Sequence, residues 1–456
     1  MCYVRNVAVA EIEERRAAHG RVFQNAAAVG VLTAVVKIAA AVKVAVTARY
    51  FGASDSLDAY LIAFLLPSFF VDTVAGTFTP SLVPGLIRER AHGQHRAGQL
   101  AQAGLFMVLG AMLPVLACLA IGGSWILPLL GASFSSEKIA LTAVLFFSML
   151  IWLPLGACSA AWRAVLNAHN HVALAVAVQL GAPLLTIALL AVGADRWGVW
   201  TLSAAVALGA LTECVILGVA VRKLGYSLRP RWSGWTPEIR AVRNQYGPLL
   251  AGTMMVAGCG LVDQAVAASL GPGSVSTLSY GQKFASVLIA VAGTAWGTAL
   301  LPEFSRLATA ERWNTLRRMV RLHFLLALVL LTGAAIVMAW GSAELVRLMF
   351  QRGQFGPAEA VRVTEIQQVT MLLVPFAVTL MIMQRLATAL SAAHLILRAG
   401  VAATAVNIAG DLLLPHWWGV RGVALASFAG HAIYLLGLLV LLYLKERRVF
   451  FAAEAH

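Results

Sequence analysis

An all-α, polytopic membrane protein of about twelve transmembrane helices, arranged as two six-helix bundles related by a parallel pseudo-repeat, is the fold class this sequence predicts. Three observations carry that expectation. Of the 456 residues 60% are hydrophobic and only 12% charged, about half the charged share of a soluble protein. Apolar stretches of spanning length recur along the whole chain, and the basic residues between them are strongly one-sided. A spanning helix takes about 20 apolar residues, so a dozen of them leave no room for a large soluble domain.

Uninterrupted apolar stretches bounded by charge, Gly or Pro give spans near 26–48, 58–85, 104–130, 139–167, 171–193, 200–222, 246–270, 278–304, 321–341, 361–392, 394–414 and 420–444. Several exceed the usual length, which predicts tilt or a kink at Pro67, Pro154 or Pro375. In a soluble chain the net charge of +14 would point to nucleic acid; here it is a topology signal, and no nucleic-acid partner is expected. With the N-terminus placed in the cytoplasm, 21 of the 34 Lys and Arg lie on that side and six on the other, the rest falling within spans. The positive-inside rule then puts both termini in the cytoplasm. Glu11-Ile12-Glu13-Glu14 before the first apolar stretch is unlike a cleaved signal peptide, so the first helix reads as a signal-anchor.

The most basic linker, Arg222 to Arg243, divides six spans from six. The expected organisation is a cytoplasmic segment 1–24, a first bundle 25–225, a basic linker 226–243, a second bundle 244–445 and a cytoplasmic tail 446–456. Ala75-Gly76-Thr77 with Leu82-Val83-Pro84 resembles Ala292-Gly293-Thr294 with Leu300-Leu301-Pro302, and Leu153-Pro154 resembles Val374-Pro375. The common offset of about 220 residues between units of equal orientation makes the repeat parallel.

An ionisable group at the bilayer centre costs at least ~2.5–3.5 kcal/mol, so each needs a partner, a wet cavity or a function. Lys37 and Lys43 fall in the first span, Asp72 in the second, Glu213 in the sixth, Asp263 in the seventh and Lys283 in the eighth. One reading has Lys37, Lys43 and Lys283 line a cationic cavity that receives a phosphate or diphosphate. The other pairs them with Asp72, Glu213 and Asp263 as structural ion pairs. Steps of six residues turn an ideal helix by about 240°, so Lys37, Lys43 and Arg49 cannot all face one way unless the first helix bends. Asp58 is placed at the outer mouth, either as a gating group or as a helix N-cap after Gly52-Ala53-Ser54-Asp55-Ser56. Arg163, Arg385 and Arg398 lie near span ends and are read as snorkelling; Asp411 receives no role. Asn167-Ala168-His169-Asn170-His171 lacks a third ligand nearby, and the five dispersed cysteines have no ligand spacing, so no metal or cofactor is expected.

The run from Arg49 to Phe70, Arg49-Tyr50-Phe51-Gly52-Ala53-Ser54-Asp55-Ser56-Leu57-Asp58-Ala59-Tyr60 and onward through Pro67-Ser68-Phe69-Phe70, resembles the signature of the MurJ/MviN family. So do Thr77-Phe78-Thr79-Pro80, Gly273-Ser274-Val275-Ser276 with Tyr280, Gly297-Thr298-Ala299-Leu300-Leu301-Pro302, and Phe350-Gln351-Arg352-Gly353-Gln354-Phe355. The resemblance covers most of both halves. It implies a flippase of the multidrug/oligosaccharidyl-lipid/polysaccharide exporter superfamily, moving an undecaprenyl-diphosphate-linked saccharide between leaflets of the bacterial inner membrane. Lipid II or an exopolysaccharide repeat unit is the implied substrate. It carries Lys37, Lys43 and Lys283 over as the diphosphate cavity, where family members have arginine, and Asp58 as a gating residue. Asp72, Glu213 and Asp263 are candidates for gating or ion coupling.

Alternating access without covalent chemistry is therefore the expected mechanism, driven by the membrane potential or a monovalent ion. No Gly-x-x-x-x-Gly-Lys-Ser/Thr loop for nucleotide is present. The competing readings are a multidrug/cation antiporter, which calls for an acid-dominated cavity, and a membrane glycan polymerase or ligase, which calls for a larger outer loop than 342–360. The expected partners are the lipid-linked oligosaccharide and membrane lipids, and a monomer is favoured.

Overall fold

The computed structural model describes residues 30–390 and 392–453; the expectations for segment 1–24 and for the last residues of the tail lie outside them. Among the described residues no strand forms. Seven long helices make the first half and the crossover: α1 Gly30–Phe51, α2 Asp55–Ala91, α3 Gln94–Leu130, α4 Ser136–Ala168, α5 Val172–Trp197, α6 Trp200–Lys223 and α7 Pro237–Ser269. A short α8 (Ser274–Gly281) leads into α9 (Lys283–Thr309). The remainder is α10 (Trp313–Trp340), α11 (Ser342–Phe350), α12 (Pro357–Ala389), α13 (Ala393–Leu413) and α14 (Val420–Ala453). Eleven helices among the described residues are long and apolar enough to cross a membrane, and the 27-residue α9 is the other long one.

Several helices begin well before the apolar stretch that marks them in the sequence. α3 starts at Gln94, α7 at Pro237 and α10 at Trp313, each two turns or more ahead of the expected span. Backbone hydrogen bonds within a helix are satisfied in water as in lipid, so hydropathy marks where the lipid begins and not where the helix does. The side that carries these extensions also carries the basic linker, and is called here the linker face. The opposite side is the Asp58 face.

Proline sets the breaks inside the long helices. It has no N–H and its ring clashes with the carbonyl four residues earlier. The helix of α4 is interrupted at Leu150–Ile151, just ahead of Pro154, and that of α12 at Leu372, just ahead of Pro375. In α2 the stretch Val71–Ala75, between Pro67 and Pro80, winds as a π-helix, a geometry concentrated at functional sites. Hydroxyls of Thr73, Thr77 and Ser81 donate to the carbonyls of Phe69, Thr73 and Thr77 through this region.

The same helix pairs pack in both halves. α5 lies on α6, α2 and α3 on α4, and α4 on α6; about 220 residues later α13 lies on α14, α9 and α10 on α12, and α12 on α14. The turns repeat too. Trp197-Gly198-Val199 and Trp418-Gly419-Val420 each place glycine at nearly the same backbone angles, φ 52°, ψ −135° and φ 53°, ψ −135°. One apolar core, built around Phe78, Leu82, Leu105 and Phe146, belongs mostly to the first half but takes in Tyr280, Phe350, Phe355 and Val363 of the second; the other, around Phe304, Leu316, Val378 and Leu438, lies within the second half. A smaller cluster, with Ile62 against Leu278, Ile366 and Val423, bridges them near the Asp58 face.

Because glycine alone adopts that backbone geometry without strain, Gly198→Ala and Gly419→Ala are each expected to cost about 1–2 kcal/mol. Denaturation of the purified protein in detergent checks this, and unequal costs would mean the two turns are not equivalent.

Candidate functional site

Asp58 is the polar centre of the junction between the halves. Its side chain is fully buried, and burying a lone carboxylate is prohibitive unless donors replace water. Here they come from the other half: the Gly273 N–H donates to Oδ2 at 2.7 Å and the Ser276 N–H to Oδ1 at 2.8 Å. Both amides belong to the first turn of α8, where the unpaired N–H groups and the positive end of the helix dipole favour an anion. The helix of Asp58 is capped by Ser54, which accepts from the Leu57 N–H. Of the two roles open from the sequence, Asp58 is thus no cap of its own helix; it caps a helix of the opposite half.

Close backbone approaches surround this contact. The Gln354 N–H donates to the Arg49 carbonyl at 2.9 Å, and the Tyr280 hydroxyl to the Gly52 carbonyl at 3.1 Å. A Cβ on Gly52 would stand 2.6 Å from the Gln354 carbonyl oxygen, and one on Gly273 would stand 2.7 Å from that of Ala53. Both glycines also have positive φ, so any side chain there would both strain the turn and separate the halves. Tyr280, Phe284, Phe350 and Phe355 stack beside the seal.

The three lysines do not form one cluster. Lys43 on α1 and Lys283 at the start of α9 come from opposite halves and lie within electrostatic reach of each other. Lys37 is exposed and lies instead near Asp72, which is also within reach of Arg163. None of the three lysines has an ion-pair partner among the described residues. Glu213 faces Arg163 at 3.6 Å, so Arg163, expected to snorkel, is tied to a neighbouring helix of its own bundle. Of the pairings weighed from the sequence, only an electrostatic neighbourhood of Lys37 and Asp72 is seen.

Asp263 stands apart, in the second half. Its Oδ1 accepts from Asn407 Nδ2 at 3.3 Å and its Oδ2 from the Ser427 hydroxyl at 2.6 Å. Asp411 lies within electrostatic reach of it. Both carboxylate oxygens of Asp411 and the Oδ1 of Asn407 are buried without a hydrogen-bond partner. The group borders a cavity of about 350 Å³, with Thr404 and His431 on its wall. Asp411, Asn407 and Ser427 carry no role in the sequence reading. The available signal is the spacing of Asn407 and Asp411, four residues apart on one intramembrane helix face.

At the linker face His169 Nε2 lies 2.7 Å from the Tyr226 hydroxyl, tying the end of α4 to the start of the linker. Arg90 donates to the Ala168 carbonyl, and the Arg231 N–H to that of Gln102. Burial, with Arg90 and His171 adding to it, holds the His169 pKa below the ordinary histidine value.

The architecture defines a class: a multi-pass membrane protein of two pseudo-repeated bundles, with charge at their junction. A solved structure described as "Lipid II flippase MurJ, inward closed conformation" superposes with a TM-score of 0.77 at 18% identity, covering 91% of this chain and 87% of that one. The inward-facing conformation of a multidrug resistance MATE family transporter of the MOP superfamily superposes with a TM-score of 0.75 at 12% identity, covering 90% and 96%. At these identities the likeness is one of fold.

The chain belongs to the MurJ family, whose model, described as "Lipid II flippase MurJ", matches residues 47–455. A probable lipid II flippase MurJ of Rhizobium meliloti (strain 1021) is 30% identical over 333 residues, 69% of this chain and 61% of that protein. One from Helicobacter pylori (strain ATCC 700392 / 26695) is 25% identical over 85% of this chain and 88% of its own length. The chain therefore spans about three fifths of the Rhizobium meliloti relative and most of the Helicobacter pylori one.

Asp58→Asn turns one of the two acceptor oxygens into an amide nitrogen facing an N–H. The loss expected is that of a charge-assisted hydrogen bond, about 1.5–3 kcal/mol, seen as a looser junction in hydrogen exchange of the Gly273 and Ser276 amides. A second expectation concerns pH. A histidine whose folded pKa is lowered contributes fully above the unfolded value of about 6.5, and its contribution is lost as pH falls from there through the lower folded value. Linker protection from proteolysis should fall on acidification in the native chain and lose that dependence in His169→Gln.

Proposed function

We propose that this protein is a flippase that carries an undecaprenyl-diphosphate-linked saccharide, a lipid II-like peptidoglycan precursor or an exopolysaccharide repeat unit, from the inner to the outer leaflet of the bacterial cytoplasmic membrane by alternating access. Family membership supports the class of activity. The observation that carries the substrate chemistry is that Lys43 and Lys283, from opposite halves, lie within electrostatic reach of each other with no carboxylate in an ion pair with either among the described residues. Two facing ammonium groups repel, and an anion seated between them turns that repulsion into attraction toward both bundles. A diphosphate supplies such an anion, whereas a cationic drug does not. Lysine gives point charges in place of the bidentate fork of arginine, which suits a headgroup that must be released as well as held.

The excess of basic residues puts the linker face in the cytoplasm with both termini, and bundles 25–225 and 244–445 are the bodies that move about linker 226–243. Asp58 then closes the outer side. Lys37, Asp72, Arg163 and Glu213 accompany the headgroup within the first bundle. Asp263 couples transport to a monovalent cation: with Asp411, Asn407 and Ser427 it forms an oxygen-only donor set of the kind hard cations take, and the membrane potential adds about 2.3 kcal/mol per charge per 100 mV. Nothing in this cycle makes or breaks a covalent bond.

In proteoliposomes with fluorescent lipid II, a leaflet-accessibility assay should show transport at sub-saturating substrate falling about tenfold or more in Lys43→Ala and in Lys283→Ala, the loss of one charged contact, with protein levels unchanged. Native rates in both variants would remove the diphosphate site. Asp263→Ala should abolish the response of transport to an imposed cation gradient while leaving lipid II binding in place.

A further inference from the structure

Lys138 forms an ion pair with the buried Asp58, and nothing in the flippase cycle proposed above assigns it a part. It sits in the first turn of α4, its side chain only 9% exposed. Its Nζ lies 2.5 Å from Asp55 Oδ1, 3.4 Å from Asp58 Oδ2 and 3.9 Å from the Phe134 ring centroid. The two acids differ in surroundings. Asp58 is fully buried, whereas the Asp55 side chain is 60% exposed. One ammonium group is therefore shared between a carboxylate that water solvates and one that only protein solvates.

We infer that Lys138 is a positioning residue of the outer seal, and that the division of its charge between Asp58 and Asp55 sets how readily the two halves part. The inference rests on Asp58 being the seal. While the halves are closed, Asp58 holds its charge on two amides of α8 and on Lys138, with no water to help. Once they part, water reaches Asp58 and replaces what the lysine supplied. The attraction of Lys138 for Asp58 is thus strong in the closed state and screened in the open one, and it favours closure. Asp55 draws the same ammonium group away and weakens that preference. Lys138 and both acids belong to the first half, so the charge of the lysine acts on the junction through Asp58, while its contact with Phe134, which packs against the bridging cluster, is one that methionine can keep.

Ser274, at the buried first turn of α8, provides the reporter. Ser274→Cys protein in nanodiscs, on a background with the native cysteines replaced, is treated with a hydrophilic maleimide, and the rate of modification reads the opening of the seal. Lys138→Met should raise that rate roughly tenfold, comparable to the loss of a charged hydrogen bond. Lys138→Arg should stay near the native rate, and Asp55→Asn should lower it severalfold. On an Asp58→Asn background, Lys138→Met should add nothing. Opposite signs for Lys138→Met and Asp55→Asn, with that non-additivity, are not produced by general loosening of α4. An unchanged or lowered rate in Lys138→Met beside a raised rate in Asp58→Asn overturns the role of Lys138 and leaves the seal standing. An unchanged rate in Asp58→Asn overturns the seal and this inference together.

Discussion

A fully buried carboxylate with its donors on another body is the constraint around which this molecule is organised. Asp58 could have been satisfied by its own helix or by its own bundle. Instead the two short hydrogen bonds that make its burial tolerable come from α8 of the other half. The halves are therefore held in one registration at this face, since small displacements lengthen both bonds and leave the carboxylate with Lys138 as its remaining partner in a dry site. The glycines extend the argument from one side chain to the surface around it. At Gly52 and Gly273 the opposing backbones approach where a methyl group would stand, so the two bodies meet main chain to main chain.

That junction differs in kind from the interiors of the bundles. Each half is packed largely by one continuous apolar cluster, and breaking either would expose large apolar side chains from interlocked helices. Across the junction the contacts are a carboxylate on a helix end, a few hydrogen bonds to backbone carbonyls, the Tyr280, Phe350 and Phe355 edge of the first core and a smaller apolar bridge. Polar contacts of this sort are exchangeable for water at small net cost, whereas buried apolar area is not. Rigid halves and a breakable junction are what alternation between two open states demands.

Most of the scaffold was legible in the sequence because lipid imposes a simple rule: apolar stretches of set length, basic loops on one side. The repeat was legible at Pro154 and Pro375, since proline breaks a helix wherever it falls, and the structure interrupts both helices just ahead of them. The helix starts at Gln94, Pro237 and Trp313 were not, because helical hydrogen bonding continues past the lipid. Among the charges, the sequence singled out Asp263 by depth and Asp58 by its place at the outer mouth and in the run that resembles the family signature. What it could not supply was the partner, because the α8 amides carry no residue signature and Asn407 and Ser427 lie more than 140 residues from Asp263. Lys37, Lys43 and Lys283 looked alike as intramembrane cations; only the three-dimensional arrangement separates the pair that faces across the halves from the one that stays beside Asp72.

The two halves share a scaffold and differ in chemistry, and α7 joins them. One end of this helix packs on the first half: the Tyr246 hydroxyl donates to the Val74 carbonyl at 2.8 Å, and the Tyr246 ring meets Phe78 edge-on. Further along the same helix Asp263 lies among the oxygen groups of α13 and α14. Val74 belongs to the π-helical stretch that also carries Asp72, where the hydrogen-bond ladder is already shifted and is less costly to rearrange than a regular helix. In the proposed cycle a change of charge or ligation at Asp263 would act on a helix whose other end is bonded to that stretch. The pseudo-symmetric scaffold thus supplies two bodies of matching shape, and the asymmetry of their side chains, joined by one continuous helix, is what gives their relative motion a cause.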